Sequence, residues 1–359
     1  MADLGVSFLY NVLPSRVVFG AGTLARAREE VERLTISRAL VLTTPAQAEH
    51  GRAVIELLGD RAAAAAFHGA MMHTPVDVTA AALAAFRDLG ADGVVAIGGG
   101  STIGLGKAIA ARTGAPQLAI PTTYAGSEMT PILGETEAGI KTTRRSLDIL
   151  PETVIYDVDL TLGLPAALSG TSGINAIAHA VEALYARDAN PIISLLAEHG
   201  IAALARALPA IAGDPRDHAV RSDALYGAWL CGVCLGSVGM ALHHKLCHVL
   251  GGTFDLPHSE THTVVLPHAV AYNAAAAPEA IARIARALGA ERGDAATALY
   301  DLAGTVGARR SLAELGMPAG GLDRAADLAV GNPYWNPRPL ERAAIRDLLE
   351  RAFTGAPPR

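Results

Sequence analysis

The chain has 359 residues, 51% of them hydrophobic and 18% charged, with a formal net charge of −6 at pH 7. That length carries a sizeable core and room for two domains, and the composition is that of a globular chain, not a disordered one. A pI near 6.1 offers no basic stripe for a phosphate backbone, so no nucleic-acid partner is expected.

Up to about residue 155, short β-type runs alternate with helical ones. "RVVFG" precedes the helical "TLARAREEVERL", and "RALVLTT" precedes "PAQAEHGRAVIELLG". The helical "VDVTAAALAAFRDLG" leads into the strand "ADGVVAIGGG", then come the helical "STIGLGKAIAART" and the strand "PQLAIPTT". Such alternation predicts an open, mostly parallel sheet covered by helices. Beyond about residue 160, "GINAIAHAVEALYA", "IISLLAEHGIAALARALPAIA", "SDALYGAWLCGVCLGSVGMALHHKLCHVLG" and "PLERAAIRDLLERAF" all read as helices. The boundary is expected within residues 154–165, where turn and capping residues gather. No stretch reaches about eighteen unbroken apolar residues, so no membrane partner is expected. The start "MADLGVSFLYNVLPSR" lacks the basic and apolar regions of a secretory signal, which predicts a cytoplasmic location.

The three cysteines, Cys231, Cys234 and Cys247, cannot build an even disulfide framework. Cys231 and Cys234 form a CxxC inside an apolar helical run, which reads as buried small residues and not as a redox pair. Of 29 basic residues only Lys107, Lys141 and Lys245 are lysine. Each falls inside a motif, as though a compact ammonium were needed there.

"VVAIGGGSTIGLGK" sets a buried-type strand and three glycines directly before a helix, where bare amides can cradle a pyrophosphate. The GxGxxG fingerprint fails at Ile103, and the P-loop pattern fails at Ser101 and Ala108. Lys107 is expected either to reach back to this turn or to cover the helix face. "IPTTYAGSEMTP" brings hydroxyls and small residues to the end of the next strand, which suits a nucleotide contact.

Asn175 and His179 stand at i and i+4 on one helical face, His244 and His248 repeat that spacing, and His258 follows ten residues later. Any one of these histidines alone reads as a structural residue. Together they read as a site, either metal-binding or acid–base. His243 points about a hundred degrees away from His244 around the helix and is expected to be structural.

The Gly-Gly-Gly-Ser turn, "PTT" with "GSE", "LPETVIYDVDLTLGLP" and the His-x3-His-x9-His pattern at 244, 248 and 258 resemble the group III, iron-containing alcohol dehydrogenase family, from about Phe19 to the C-terminus. The resemblance implies a dehydroquinate synthase-like fold. It has an α/β dinucleotide-binding domain with an open, mostly parallel sheet at residues 1–157 and an all-α substrate and catalytic domain at 158–359, with the active site in the cleft between them. It also implies a homodimer. In that family an Asp and three His, at positions matching 175, 179, 244 and 258, bind Fe²⁺ or Zn²⁺, and the histidine matching His248 lies near the nicotinamide.

Two departures change the expectation: Asn175 replaces the carboxylate, and Gly104 replaces the aspartate of GGGSxxD. A neutral amide offsets little of a divalent charge, and Lys245 adds a positive one, so no metal is expected. Three imidazoles can still hold zinc, which keeps a metal-dependent alcohol or polyol dehydrogenase as the alternative. A non-catalytic nucleotide-binding protein is the more distant one. "GGGSTIGLGKAIA", "PTTYAGSEMTPI", "HHKLCHVLGG" and "NPYWNPRP" resemble the branch that reduces maleylacetate to 3-oxoadipate with NADH or NADPH during aromatic breakdown. The expected assignments follow from that likeness. Gly98, Gly99, Gly100 and Ser101 hold the pyrophosphate, and Thr122, Thr123, Ser127 and Lys141 surround the ribose and nicotinamide. Asn175, His179, His244, Lys245 and His258 bind the dicarboxylate substrate, and His248, Lys245 and His244 are the catalytic candidates.

Overall fold

The computed structural model describes residues 8–138, 140–290, 294–331 and 334–359, except the side chains of residues 140 and 141. Two units compose it. The first holds Pro14–Pro165 and Asp214–Leu225, and the second holds Ala166–Gly213, Tyr226–Arg359 and the described residues before Pro14.

The first unit is a five-stranded parallel sheet with helices. In chain order it has β1 (Arg16–Gly20), α1 (Ala27–Arg33), β2 (Ala39–Leu42), α2 (Ala48–Leu58), α3 (Val76–Asp88), β3 (Gly93–Gly98), α4 (Gly100–Thr113) and β4 (Gln117–Pro121). An antiparallel hairpin of β5 (Ile132–Glu137) and β6 (Ile140–Arg145) follows, and β7 (Thr153–Asp157) completes the sheet in the order β1-β7-β4-β3-β2. Every residue of β3 is buried, as expected of a strand covered on both faces, and this is why "GVVAIG" reads as an unbroken apolar run. Val18, Val41, Val95, Ile97, Leu118 and Ile155 from the strands meet Val31, Val54 and Leu58 from α1 and α2. Glycine lets α4 lie close to the sheet, since a Cβ at Gly106 would sit 3.2 Å from that of Ala96.

The second unit is helical: α5 (Ala166–Leu184), α6 (Pro191–Gly213), the later part of α7 (His218–Ser237), α8 (Leu242–Phe254), α9 (His258–Asn273), α10 (Pro278–Ala287), α11 (Ala295–Thr305), α12 (Leu322–Gly331) and α13 (Arg342–Thr354). α5 is buried from Ser169 to Leu184 and packs against α6 and α9. α6 has the length and apolarity to cross a bilayer. Burial accounts for that apolarity, because Ile193, Ala197, Ile201, Leu204, Leu208 and Ile211 are all core residues.

The structure differs from the sequence reading in three places. The compact units divide after Pro165, at the end of the 154–165 stretch, but residues 214–225 join the first unit. The cause lies in Arg221, which is fully buried and donates to the carbonyls of Leu164 and Pro215 at 2.8 Å and to the Tyr124 hydroxyl at 3.1 Å. The hairpin β5–β6 was not expected. The long run from Ser222 is two helices, α7 and α8, meeting at a 93° bend across Val238–Ala241. Cys231 and Cys234 are buried and free in α7, and burial pushes the Cys234 thiol up to about 12.

Candidate active site

In the first unit the glycine turn joins β3 to α4. Gly98 has φ +154°, and a Cβ there would overlap the Thr102 hydroxyl and lie 2.8 Å from the Gln47 side-chain oxygen. A Cβ at Gly99 would lie 3.2 Å from the Thr123 side chain. α4 begins at Gly100 with no side-chain cap, and the Thr102 amide is taken by the Gly99 carbonyl at 3.0 Å, so the amides of Gly100 and Ser101 are the ones left to meet an anion. Thr122 closes the turn, its amide donating to the Gly98 carbonyl at 3.0 Å and its hydroxyl accepting from Gln47 Nε2 at 2.8 Å. These features fit a dinucleotide pyrophosphate, with Gly98, Gly99, Gly100, Ser101, Thr122 and Thr123 brought together. The Lys141 side chain lies outside the described residues.

Lys107 neither reaches the turn nor covers the helix surface. It is fully buried, and its Nζ donates to the Ser127 and Ile132 carbonyls and to the Thr130 hydroxyl, with the Ser127 hydroxyl at 3.3 Å. Burial pulls the ammonium down to about 7 against the opposing pull of Glu128. Ser127 thus spends its hydroxyl on Lys107 and anchors the loop after β4. At Gly104 the space of the missing aspartate is taken, since a Cβ would lie 2.5 Å from the Thr74 hydroxyl.

In the second unit, Asn175, His179 and Glu182 share one face of α5 at i, i+4 and i+7. The α7–α8 bend exposes the start of α8 to that face, and Glu182 caps it from outside. Its carboxylate accepts from the Ala241 amide at 2.8 Å, the His243 amide at 2.7 Å and His244 Nδ1 at 2.8 Å. A carboxylate at a helix N-terminus also meets the positive end of the helix dipole. Burial raises the Glu182 carboxyl, but the His244 hydrogen bond, the imidazoles of His244 and His243 and the Ala241 amide outweigh it and hold it below its ordinary range. An ionised carboxylate only accepts, so the proton of His244 sits on Nδ1 and Nε2 faces the cluster. Asn336, in the "WNPRP" stretch, accepts from the Leu242 amide at 3.3 Å and pairs with Asn273, tying the same helix start to α9.

Asp255 closes α8 in the left-handed conformation, φ +54°, and α9 returns with His258 and His262 one turn apart. The ring of His244 stands 5.1 Å from that of His179, 5.1 Å from His262 and 6.3 Å from His248, and the rings of His258 and His262 are 4.3 Å apart. His248 and His258 are exposed, whereas Asn175, His179, His244 and His262 are buried. Lys245 is half-buried, its Nζ 5.5 Å from the centre of the Tyr334 ring. His243 is fully buried with Nε2 3.0 Å from the His262 carbonyl, and burial lowers it to about 4. Burial, with the neighbouring imidazoles, also pushes His179 and His262 well below the usual histidine range.

Five buried atoms here have no hydrogen-bond partner: Asn175 Oδ1, His179 Nδ1, His244 Nε2 and both ring nitrogens of His262. Each such orphan costs about 1–3 kcal/mol, so the cluster is shaped for a polar guest. The metal of the resemblance fits poorly. Among the described residues, the three histidines whose donor atoms lie within 4.8 Å of one another are His243, His244 and His262, not 179, 244 and 258. In that set His243 Nε2 already faces the His262 carbonyl, whereas His244 gives Nδ1 to Glu182 and keeps Nε2 open. Asn175 brings no charge to offset a cation. Glu182 and His262 escaped the sequence reading, although their spacing, i+3 from His179 and i+4 from His258, was there to find them.

Residues 14–158 match the iron-containing alcohol dehydrogenase model and residues 169–353 match the C-terminal model of the Fe-containing alcohol dehydrogenase family. The chain belongs to the iron-containing alcohol dehydrogenase family. It is 58% identical to the maleylacetate reductase of Rhizobium sp. (strain MTP-10005) over 98% of this chain and 99% of that one. The crystal structure of maleylacetate reductase from Agrobacterium tumefaciens, also 58% identical, superposes with a TM-score of 0.94 over 98% of this chain and 100% of that one. A Bifidobacterium kashiwanohense sulfoacetaldehyde reductase solved with NAD⁺ shares the fold at 21% identity, with a TM-score of 0.89 over 97% and 99% of the two chains. As a member of this family the chain is an oxidoreductase.

Proposed function

We propose that the chain reduces maleylacetate to 3-oxoadipate with NADH or NADPH, without a metal, in the breakdown of aromatic compounds. The observation that carries the reading is the full-length, 58% likeness to enzymes named for that reaction, and the chemistry of the cluster supports it. Maleylacetate is a dianion whose carbon–carbon double bond is conjugated to a ketone. A bound reduced nicotinamide supplies hydride to the carbon β to that ketone, which moves charge onto the ketone oxygen as an enolate. Positioned donors stabilise that oxygen, and one proton delivered to the α-carbon completes the reduction.

Gly98, Gly99, Gly100 and Ser101 hold the pyrophosphate, with Thr122 and Thr123 beside them. Asn175, His179, His244, Lys245 and His258 bind the carboxylates and the enolate. Glu182 keeps His244 in one tautomer and offsets any positive charge it acquires, as the buried acid of a catalytic triad does. His248 is the proton donor, because its exposed ring can recover a proton from solvent. Replacing the family's Asp with Asn175 removes a repulsion for the dianion, and Lys245 adds an attraction.

Thr43 and Thr44 follow β2, with no acid there to read a ribose 2′-hydroxyl. The Thr43 hydroxyl is engaged with His68 at 2.7 Å. NADH and NADPH are therefore expected to serve within about a hundredfold of each other. The free, buried cysteines accord with a cytoplasmic location, and the exposed Phe8, Leu9 and Val12 accord with a homodimer. The test is NADH oxidation on adding maleylacetate between about pH 5 and 8. No turnover anywhere in that window would end the proposal. A His248→Ala variant with intact kcat and an unchanged pH–rate profile would remove that histidine as the acid.

A further inference from the structure

We infer that His262 is a substrate-binding residue, its ring N–H adding a donor from α9 to the polar groups that receive the maleylacetate dianion. The inference rests on the function proposed above and names one more residue of the same site. The side chain is 1% exposed, and neither Nδ1 nor Nε2 has a hydrogen-bond partner. Two buried orphans on one ring call for an explanation, and a polar guest that satisfies them is one. His243 provides the contrast: it is equally buried on the neighbouring helix, and its Nε2 is spent on the carbonyl of His262 itself.

What surrounds the ring points to the guest. His262 packs on His258 at 4.3 Å, His243 at 4.9 Å and His244 at 5.1 Å. The other orphans of the cluster, on Asn175, His179 and His244, come from α5 and α8, so His262 supplies the contribution of α9 from the buried side. His268, on the same helix, also has two orphan nitrogens, but among the described residues it makes none of these ring contacts. An imidazole donor suits a carboxylate or an enolate oxygen, and a neutral ring adds no buried charge when the site is empty. Metal ligation is the less favoured use, because Asn175 brings no charge to offset a cation and His243 already holds a carbonyl with its Nε2.

His262→Leu removes the N–H donor and the acceptor nitrogen and leaves an apolar side chain. The expected result is a KM for maleylacetate raised about ten- to a hundredfold, with the KM for NADH unchanged. The thermal midpoint should be no lower than that of the wild type, since an apolar ring of neighbours accepts leucine better than an unsatisfied imidazole. His262→Gln, which keeps a donor and an acceptor, should recover part of the lost affinity, and it serves as the readout if the leucine variant does not fold. Stabilisation of the protein by 3-oxoadipate should fall in parallel. An unchanged KM for maleylacetate in a folded variant would overturn the inference, as would a lower thermal midpoint with KM and dianion stabilisation intact. A wild type that fails to turn over maleylacetate would defeat the functional reading instead, and His262 would then stand or fall on whether 3-oxoadipate stabilises the wild type more than the variant.

Discussion

The glycine turn and the histidine cluster solve ligand binding in opposite ways. At the turn, backbone amides face the ligand, and most nearby side chains are occupied: Thr122 with Gln47, Ser127 with Lys107. In the cluster the polar groups are side chains, and among the described residues five of their atoms are left without partners. A site made of backbone tolerates few substitutions and serves any cofactor with the same pyrophosphate. A site made of side chains can be rewritten one residue at a time. Under the proposed function Asn175 is such a rewriting, one amide in place of one carboxylate favouring an anion over a cation.

Gly98→Val gives the largest expected effect. It forces a β-branched residue to φ +154° against Thr102, and the affinity for NADH, followed by nucleotide fluorescence, should fall more than about a thousandfold. Stabilisation by 3-oxoadipate should survive if the two sites are built as separately as described. Glu182→Gln comes next. It places an amide among three donors, and urea denaturation should show a loss of about 3–5 kcal/mol together with a reduced kcat. Equal stability would mean that the start of α8 does not depend on this carboxylate.

The third test concerns acid. Burial lowers His268 to about 4, whereas an unfolded histidine titrates near about 6.5. Between those values the unfolded chain binds more protons, so stability falls as pH drops through the window and is fully present above it. The loss at this one residue is about 3 kcal/mol. His268→Leu should flatten that part of a plot of urea midpoint against pH, and a slope equal to the wild type's would show that the group is not desolvated. Asn175→Asp has the smallest expected effect: a KM for maleylacetate raised about tenfold by one restored charge, with more Zn²⁺ or Fe²⁺ retained on dialysis. Tighter substrate binding in that variant would reverse the sign assigned to the site.

The same contrast governs what the sequence made legible. Strands β1 to β4 and the turn after β3 could be read directly, because buried parallel strands and a run of three glycines have few other uses. Asn175, His179, His244 and His258 could be read by their spacing and by family resemblance. Glu182 could not be singled out so easily, because a glutamate in "HAVEA" looks like a solvated helix charge until the α7–α8 bend brings a helix start to it. That bend has one local cue, Gly239, whose amide is held by Asp188 at 2.9 Å. Lys107 looked like a ligand-binding residue because lysine is so scarce in the chain. Its burial against Ser127, Thr130 and Ile132 depends on a loop whose path no local pattern specifies.

The central claim is that this histidine cluster binds an anion and moves a proton without a metal. The most direct measurement is maleylacetate-dependent NADH oxidation by enzyme stripped with a chelator, with its metal content determined on the same sample. Unchanged kcat at far less than one metal per chain is the predicted result. Activity lost on stripping and restored by Fe²⁺ or Zn²⁺ would contradict it.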